Sequence, residues 1–102
     1  MTAYSASKHA LVGITRSLAL ELGQQDIRVV GIAPGLVLTP GVQAHLDKLR
    51  QSGGSLKSAP DQSPLGRPCL PDDVARVALF AASDLAAMVT GAILPVDGGN
   101  GA

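Results

Sequence analysis

Residues 27–33 read Ile-Arg-Val-Val-Gly-Ile-Ala, a short β-rich run that is almost continuously apolar after Arg28 and stops at Pro34-Gly35. A strand with one wet face alternates apolar and polar side chains, whereas an unbroken apolar run suits a parallel strand covered on both faces. Covering both faces takes helices on each side of a sheet, and this constrains the fold more than any other feature of the chain. Pro34 lacks an N–H and Gly35 permits a tight turn, so the strand ends there. Ahead of it, Ala6, Ala10, Leu11, Ile14, Leu18 and Leu22 recur at spacings of three and four, which predicts a helix over 4–22. Val12, Ala19 and Leu20 widen its apolar surface beyond one stripe, as expected of a helix covered on two sides. Gly23 is placed to end it.

Residues 41–50 fit a short amphipathic helix with Val42, Leu46 and Leu49 on one face. Residues 51–64 are rich in Ser, Gly and Pro and are expected to form a mobile excursion. Pro71 opens the next helix, with Asp72 and Asp73 in the first turn, where carboxylates meet the positive end of the helix dipole. Val74, Val77, Ala78 and Ala81 carry its apolar face to about Ser83. Thr90-Gly91 precedes a second strand at 92–96, and Asp97-Gly98-Gly99 closes it, with Asp97 read as a turn-forming carboxylate and not a metal ligand. The order helix, strand, helix, loop, helix, strand is the back half of a doubly wound α/β fold. A two-stranded parallel sheet stands poorly alone. The run at 27–33 expects a neighbour on each edge, and the chain offers only 92–96. No G-x-G-x-x-G pattern occurs, so the phosphate-binding half of a dinucleotide fold is absent from these residues. The expectation is a fragment of one domain.

The 102 residues carry eight Lys+Arg against eight Asp+Glu, which leaves no basic face to meet nucleic-acid phosphates or an anionic membrane. Only Tyr4 and Phe80 are aromatic, so stacking platforms for single strands are missing as well. No apolar run has the length of a membrane span, and Met1-Thr2-Ala3-Tyr4-Ser5 does not begin a signal peptide. Cys69 is the single cysteine: it can form no internal disulfide and leaves no Cys cluster for a metal. The chain is therefore expected to be soluble and cytoplasmic, without nucleic-acid, membrane or metal partners.

Chemistry is concentrated near the start. Tyr4 and Lys8 lie four apart, on one face of the expected helix. A free Tyr titrates near ~10, too high for a useful base at neutral pH. A cation held beside it favours the phenolate, and a Tyr tuned in this way can exchange a proton with a substrate oxygen. The same spacing also fits an ordinary Tyr and Lys at helical separation. His9 is expected to point elsewhere, His45 to be a solvated helix position in preference to a border of a substrate pocket, and Cys69 to be an ordinary buried or half-buried thiol without an activating cation.

Residues 4–21 (YSASKHALVGITRSLALE) resemble the catalytic helix of the short-chain dehydrogenase/reductase family, and 27–39 (IRVVGIAPGLVLT) resemble the strand and Pro-Gly loop that follow it there. Residues 65–84 (LGRPCLPDDVARVALFAASD) and 90–99 (TGAILPVDGG) are similar to the family's last helix and strand. The overall look is nearest to reductases of the 3-oxoacyl-carrier-protein type. The resemblance implies the carboxy-terminal part of a Rossmann-type doubly wound parallel sheet, 1–102 as part of one domain, with 41–64 as the variable substrate region. It further implies an oxidoreductase that interconverts a carbonyl and an alcohol with NAD or NADP, working as a homodimer or homotetramer on a small-molecule substrate. Tyr4 matches the family's catalytic acid/base, and Lys8 the residue that lowers the Tyr pKa and holds the nicotinamide ribose hydroxyls. Pro34 and Gly35 match the loop against the nicotinamide, Val37 the backbone that meets its carboxamide, and Thr39 the hydroxyl near the carboxamide or pyrophosphate. The family's catalytic Ser and Gly-rich loop have no counterpart in these residues, and the Asn usual in the strand before Pro-Gly is Gly31 here. The alternative is a non-catalytic remnant whose surfaces serve only assembly.

Overall fold

The computed structural model describes residues 1–52 and 63–101. In chain order it contains α1 (Thr2–Leu22), a 3-10 turn (Gly23–Gln25), β1 (Gly31–Pro34), α2 (Pro40–Gln51), α3 (Pro71–Ala82), a second 3-10 turn (Asp84–Ala86) and β2 (Ile93–Val96). The α/β order expected from the sequence is present. The excursion expected at 51–64 falls for the most part outside the described residues. Among the described residues no helix is long and apolar enough to cross a membrane. β1 and β2 pair directly. Gly91 N–H bonds Val29 O and Gly31 N–H bonds Ala92 O, so partners climb in the same direction and the pair is parallel.

The chain divides into two compact units. The first comprises Met1–Ala33 and Ala78–Leu94. Here α1 runs two residues further toward the amino end than the periodicity predicts and ends at Leu22 with Gly23 as its C-cap, as expected. Gly23 stays right-handed (φ −58°), and the chain adds one 3-10 turn before Asp26 takes the left-handed conformation (φ 60°). Asp26 N–H then bonds Gly23 O and Ile27 N–H bonds Leu22 O, so the helix end is satisfied one turn later than a glycine stop implies. The regular strand also starts late, at Gly31 and not at Ile27. Val29 N–H is taken by the Thr90 hydroxyl at 3.0 Å instead of a backbone carbonyl, and Gly91 opposite has φ +71°, outside strand geometry.

Arg28, the one charge in the apolar run, finds carbonyl partners. Its guanidinium donates to Ala81 O (2.6 Å), Ser83 O (3.1 Å) and Val89 O (3.4 Å), gathering the carbonyls at and beyond the end of α3. A cation there also meets the negative end of the helix dipole. Thr15, Ala19 and Ala86 are buried, but Leu11, Ile14 and Leu20 are not, with Leu20 84% exposed. Among the described residues the two-sided cover expected for α1 is thus not supplied.

The second unit comprises Pro34–Val77 and Pro95–Ala102. Thr39 caps α2: its side chain accepts Val42 N–H at 3.2 Å and Pro40 occupies the first turn, a favoured start. Leu46 is the buried residue of the face predicted for α2. Pro71 opens α3 as expected. Asp73 reaches back to accept Leu70 N–H at 2.9 Å, half of a capping box. The same carboxylate is gripped by Arg67, Nη1 donating to Oδ2 at 2.7 Å and Nη2 to Oδ1 at 2.8 Å. The Arg67 hydrogen bonds, with that from Leu70 N–H, hold the Asp73 carboxyl well below the usual carboxylate range.

Candidate active site

The six residues singled out from the sequence fall in two groups, Tyr4 and Lys8 in the first unit and Pro34, Gly35, Val37 and Thr39 in the second. In α1, side chains lean toward the amino end, so a residue four positions on lies over the preceding turn. Lys8 accordingly reaches back over Tyr4, with Nζ 5.4 Å from the ring centroid, a cation–π distance. Tyr4 is 60% exposed, so its phenol remains accessible. The neighbouring polar side chains are occupied locally. Ser7 Oγ donates to Tyr4 O at 2.7 Å and His9 Nδ1 donates to Ser5 O at 2.8 Å. His9 therefore spends its Nδ1 proton on the helix backbone.

In the second unit, Pro34 ends β1 and Gly35 N–H donates to Val96 O at 3.1 Å. Gly35 stands in a place only glycine fits: an added Cβ would lie 2.9 Å from Asp97 Cβ and 3.1 Å from Asp97 Cα. Val37 forms an isolated parallel bridge with Cys69, through Leu38 N–H to Cys69 O at 2.7 Å, and Val37 O accepts Thr39 N–H at 2.9 Å. The Thr39 hydroxyl accepts from Val42 N–H, which leaves its own proton to donate. The segment is a corner at the carboxyl end of a parallel strand, the end at which open α/β sheets bind ligands.

Cys69 is half-buried and its Sγ contacts Val96 O at 3.5 Å. Desolvation, followed by the nearby Asp73 carboxylate, pushes the thiol up, away from the reactive thiolate. His45 is exposed on α2. Among the described residues no three His, Cys, Asp or Glu side chains group as metal ligands. Gly31 lies close under the Ile93 side chain: an added Cβ would stand 2.5 Å from Ile93 Cδ1, the movable end of that side chain, and 3.4 Å from Thr15 Oγ1. Sequence reading passed over Arg28 and the Arg67–Asp73 pair. A charge inside an otherwise unbroken apolar strand was the available signal for the first, since a buried guanidinium must find partners.

The model of the family described as enoyl-(acyl carrier protein) reductase matches residues 1–100. The 3-oxoacyl-(acyl-carrier-protein) reductase FabG of Thermotoga maritima is 41% identical over 98 residues, covering 96% of this chain and 37% of that protein. An oxidoreductase of the short chain dehydrogenase/reductase family from Burkholderia thailandensis superposes with a TM-score of 0.78 at 41% identity, over 94% of this chain and 36% of the other. A 4-hydroxyisoleucine dehydrogenase complexed with NADH gives 0.71 at 34% identity, over 96% of this chain and 37% of the other. The chain spans a little over a third of the length of each of these three proteins.

Proposed function

We propose, from the premise that this chain belongs to the short-chain dehydrogenase/reductase family, that it carries the proton-transfer helix and the nicotinamide-side corner of an oxidoreductase interconverting a carbonyl and an alcohol with NAD or NADP. In this reading residues 1–102 act as the carboxy-terminal part of one Rossmann-type domain, in the cytoplasm, and 41–64 border the substrate. The observation that carries it is the Lys8 ammonium seated over the exposed Tyr4 ring.

Lys8, Pro34, Gly35, Val37 and Thr39 are the residues to hold the cofactor. The bare Gly35 backbone and the unspent Thr39 proton suit a flat ring bearing an amide. Held there, a reduced nicotinamide would supply the hydride that the carbonyl carbon takes up. Tyr4 Oη delivers the proton to the carbonyl oxygen as charge builds there, and takes it back in the alcohol-oxidising direction. Lys8 holds its ammonium over the ring that carries that oxygen.

The test joins residues 1–102 behind the amino-terminal part of the Thermotoga maritima reductase and follows NADH and NADPH oxidation with a 3-oxo substrate. Turnover by the folded chimera, lost on Tyr4→Phe, is the expected result. A Tyr4→Phe chimera that works at the unmutated rate removes Tyr4 from the mechanism.

A second reading, an assembly surface, draws on the exposure of Leu11, Ile14 and Leu20 along α1. A homo-oligomer that covers this face is compatible with catalysis. Sizing chromatography of the chain with Leu20→Glu, expected to lower the apparent mass, tests it; an unchanged monomer in both forms counts against it.

A further inference from the structure

We infer, resting on the reading of the Pro34-Gly35 corner as the nicotinamide side of the site, that Asp97 is the positioning residue for that corner and acts through the turn it builds behind Gly35. Both carboxylate oxygens of Asp97 are spent on its own turn: Oδ1 accepts Gly99 N–H at 2.9 Å and Oδ2 accepts Gly101 N–H at 3.0 Å. Asp97 O also accepts Asn100 N–H at 3.2 Å. The turn passes through left-handed backbone at Gly98 (φ 61°) and Gly99 (φ 98°), a path that the two charge-assisted bonds hold in place. Leu65 N–H to Gly98 O at 3.3 Å fastens the turn to a further segment.

The fixed object that results is the Cα–Cβ unit of Asp97, and Gly35 rests on it at distances no other residue at position 35 would tolerate. Gly35 is also tied by its N–H to Val96 O, the residue before Asp97. One tether and one wall, on consecutive residues, set where the corner stands. The carboxylate touches neither Gly35 nor, in this reading, the cofactor; it fixes the wall from behind. Asp97→Ala keeps the Cα and Cβ that Gly35 meets and removes only the two clamps. Asp97→Asn keeps one acceptor and turns the other into an amide nitrogen, which cannot accept an N–H.

The experiment uses the 102-residue chain labelled with 15N. NADH is titrated into the millimolar range while the amide signals of Gly35, Val37 and Thr39 are followed in the unmutated chain, Asp97→Asn and Asp97→Ala. Circular dichroism and amide exchange at Leu38, whose N–H bonds Cys69 O, report whether each variant is folded. The corner amides are expected to respond in the unmutated chain. The apparent Kd is expected to weaken roughly five- to tenfold in Asp97→Ala, the scale of one or two lost hydrogen bonds, and by less in Asp97→Asn. If Asp97→Ala fails to fold, the weakening and the altered Gly35 shift in folded Asp97→Asn decide the matter. Folded variants with the unmutated Kd and shifts overturn the positioning role and leave the reading of the corner standing. Corner amides that ignore NADH in the unmutated chain overturn that reading, and the inference with it.

Discussion

The Lys8 ammonium nitrogen stands 5.4 Å from the centroid of the Tyr4 ring, four positions on along α1. The contact is local in origin. Neither side chain needs a distant element to bring it there, because helix geometry places a residue at i+4 over the ring of residue i. The face they share is open, so the pair presents a phenol and a cation to solvent or to a ligand and not to the protein core.

In the chimera described above, Tyr4→Phe is expected to lower kcat by a factor of about 10² to 10⁴, the usual contribution of a positioned acid/base, with a smaller change in cofactor KM. Lys8→Ala is expected to lower kcat and to raise cofactor KM together, since one ammonium serves both. Lys8→Arg restores part of this, because a planar fork does not reproduce a compact ammonium. Steady-state kinetics in both cofactors separates these outcomes; a Lys8→Ala enzyme with unaltered KM contradicts the double role.

Acid is expected to weaken the second unit through Asp73. Its carboxyl is held below the ordinary range in the folded chain, so between the folded and unfolded values the unfolded state binds the extra proton. The stabilisation is therefore complete above the unfolded value, about 3.9, and fades as pH falls through the folded one. Denaturant unfolding across pH 2 to 7 reads this slope, and Asp73→Asn is expected to flatten it. An unchanged slope in Asp73→Asn assigns the acid sensitivity elsewhere.

Gly31→Ala is expected to push the Ile93 side chain off its rotamer and to destabilise the first unit by about 0.5–1.5 kcal/mol, because the new Cβ meets Ile93 Cδ1. Ile93→Val removes the atom in the way, so the double variant should cost less than the sum of the two single changes. Thermal unfolding of the four forms measures the coupling, and strict additivity would show that Ile93 is not the obstacle.

The 102 residues alone are expected to show no turnover and no micromolar binding of NAD or NADP. Pyrophosphate is held by N–H groups of a Gly-rich loop at a helix amino end, and no such pattern occurs in these residues. Calorimetric titration of the purified chain checks this; micromolar binding would reveal a complete small site of another kind.

The sequence by itself determined the parts whose causes are local. Apolar spacing drew α1 to Leu22 and marked the body of α2, Pro71 opened α3, and Pro34-Gly35 closed β1. The Tyr4–Lys8 pair was legible for the same reason, since both residues ride on one helical turn. α1 ends at Gly23 as the apolar spacing implies, yet Gly23 stays right-handed and the left-handed turn falls on Asp26 after one 3-10 turn, which the spacing alone does not contain. What only the tertiary structure decided lies between residues far apart in the chain. Arg28 finds its carbonyls 53 to 61 residues away, the Ile93 side chain lies against Gly31, and Gly35 is glycine because Asp97 stands against it. Such contacts follow from which strands pair and in what register, and periodicity within one segment contains no record of the atoms that another segment will place beside it.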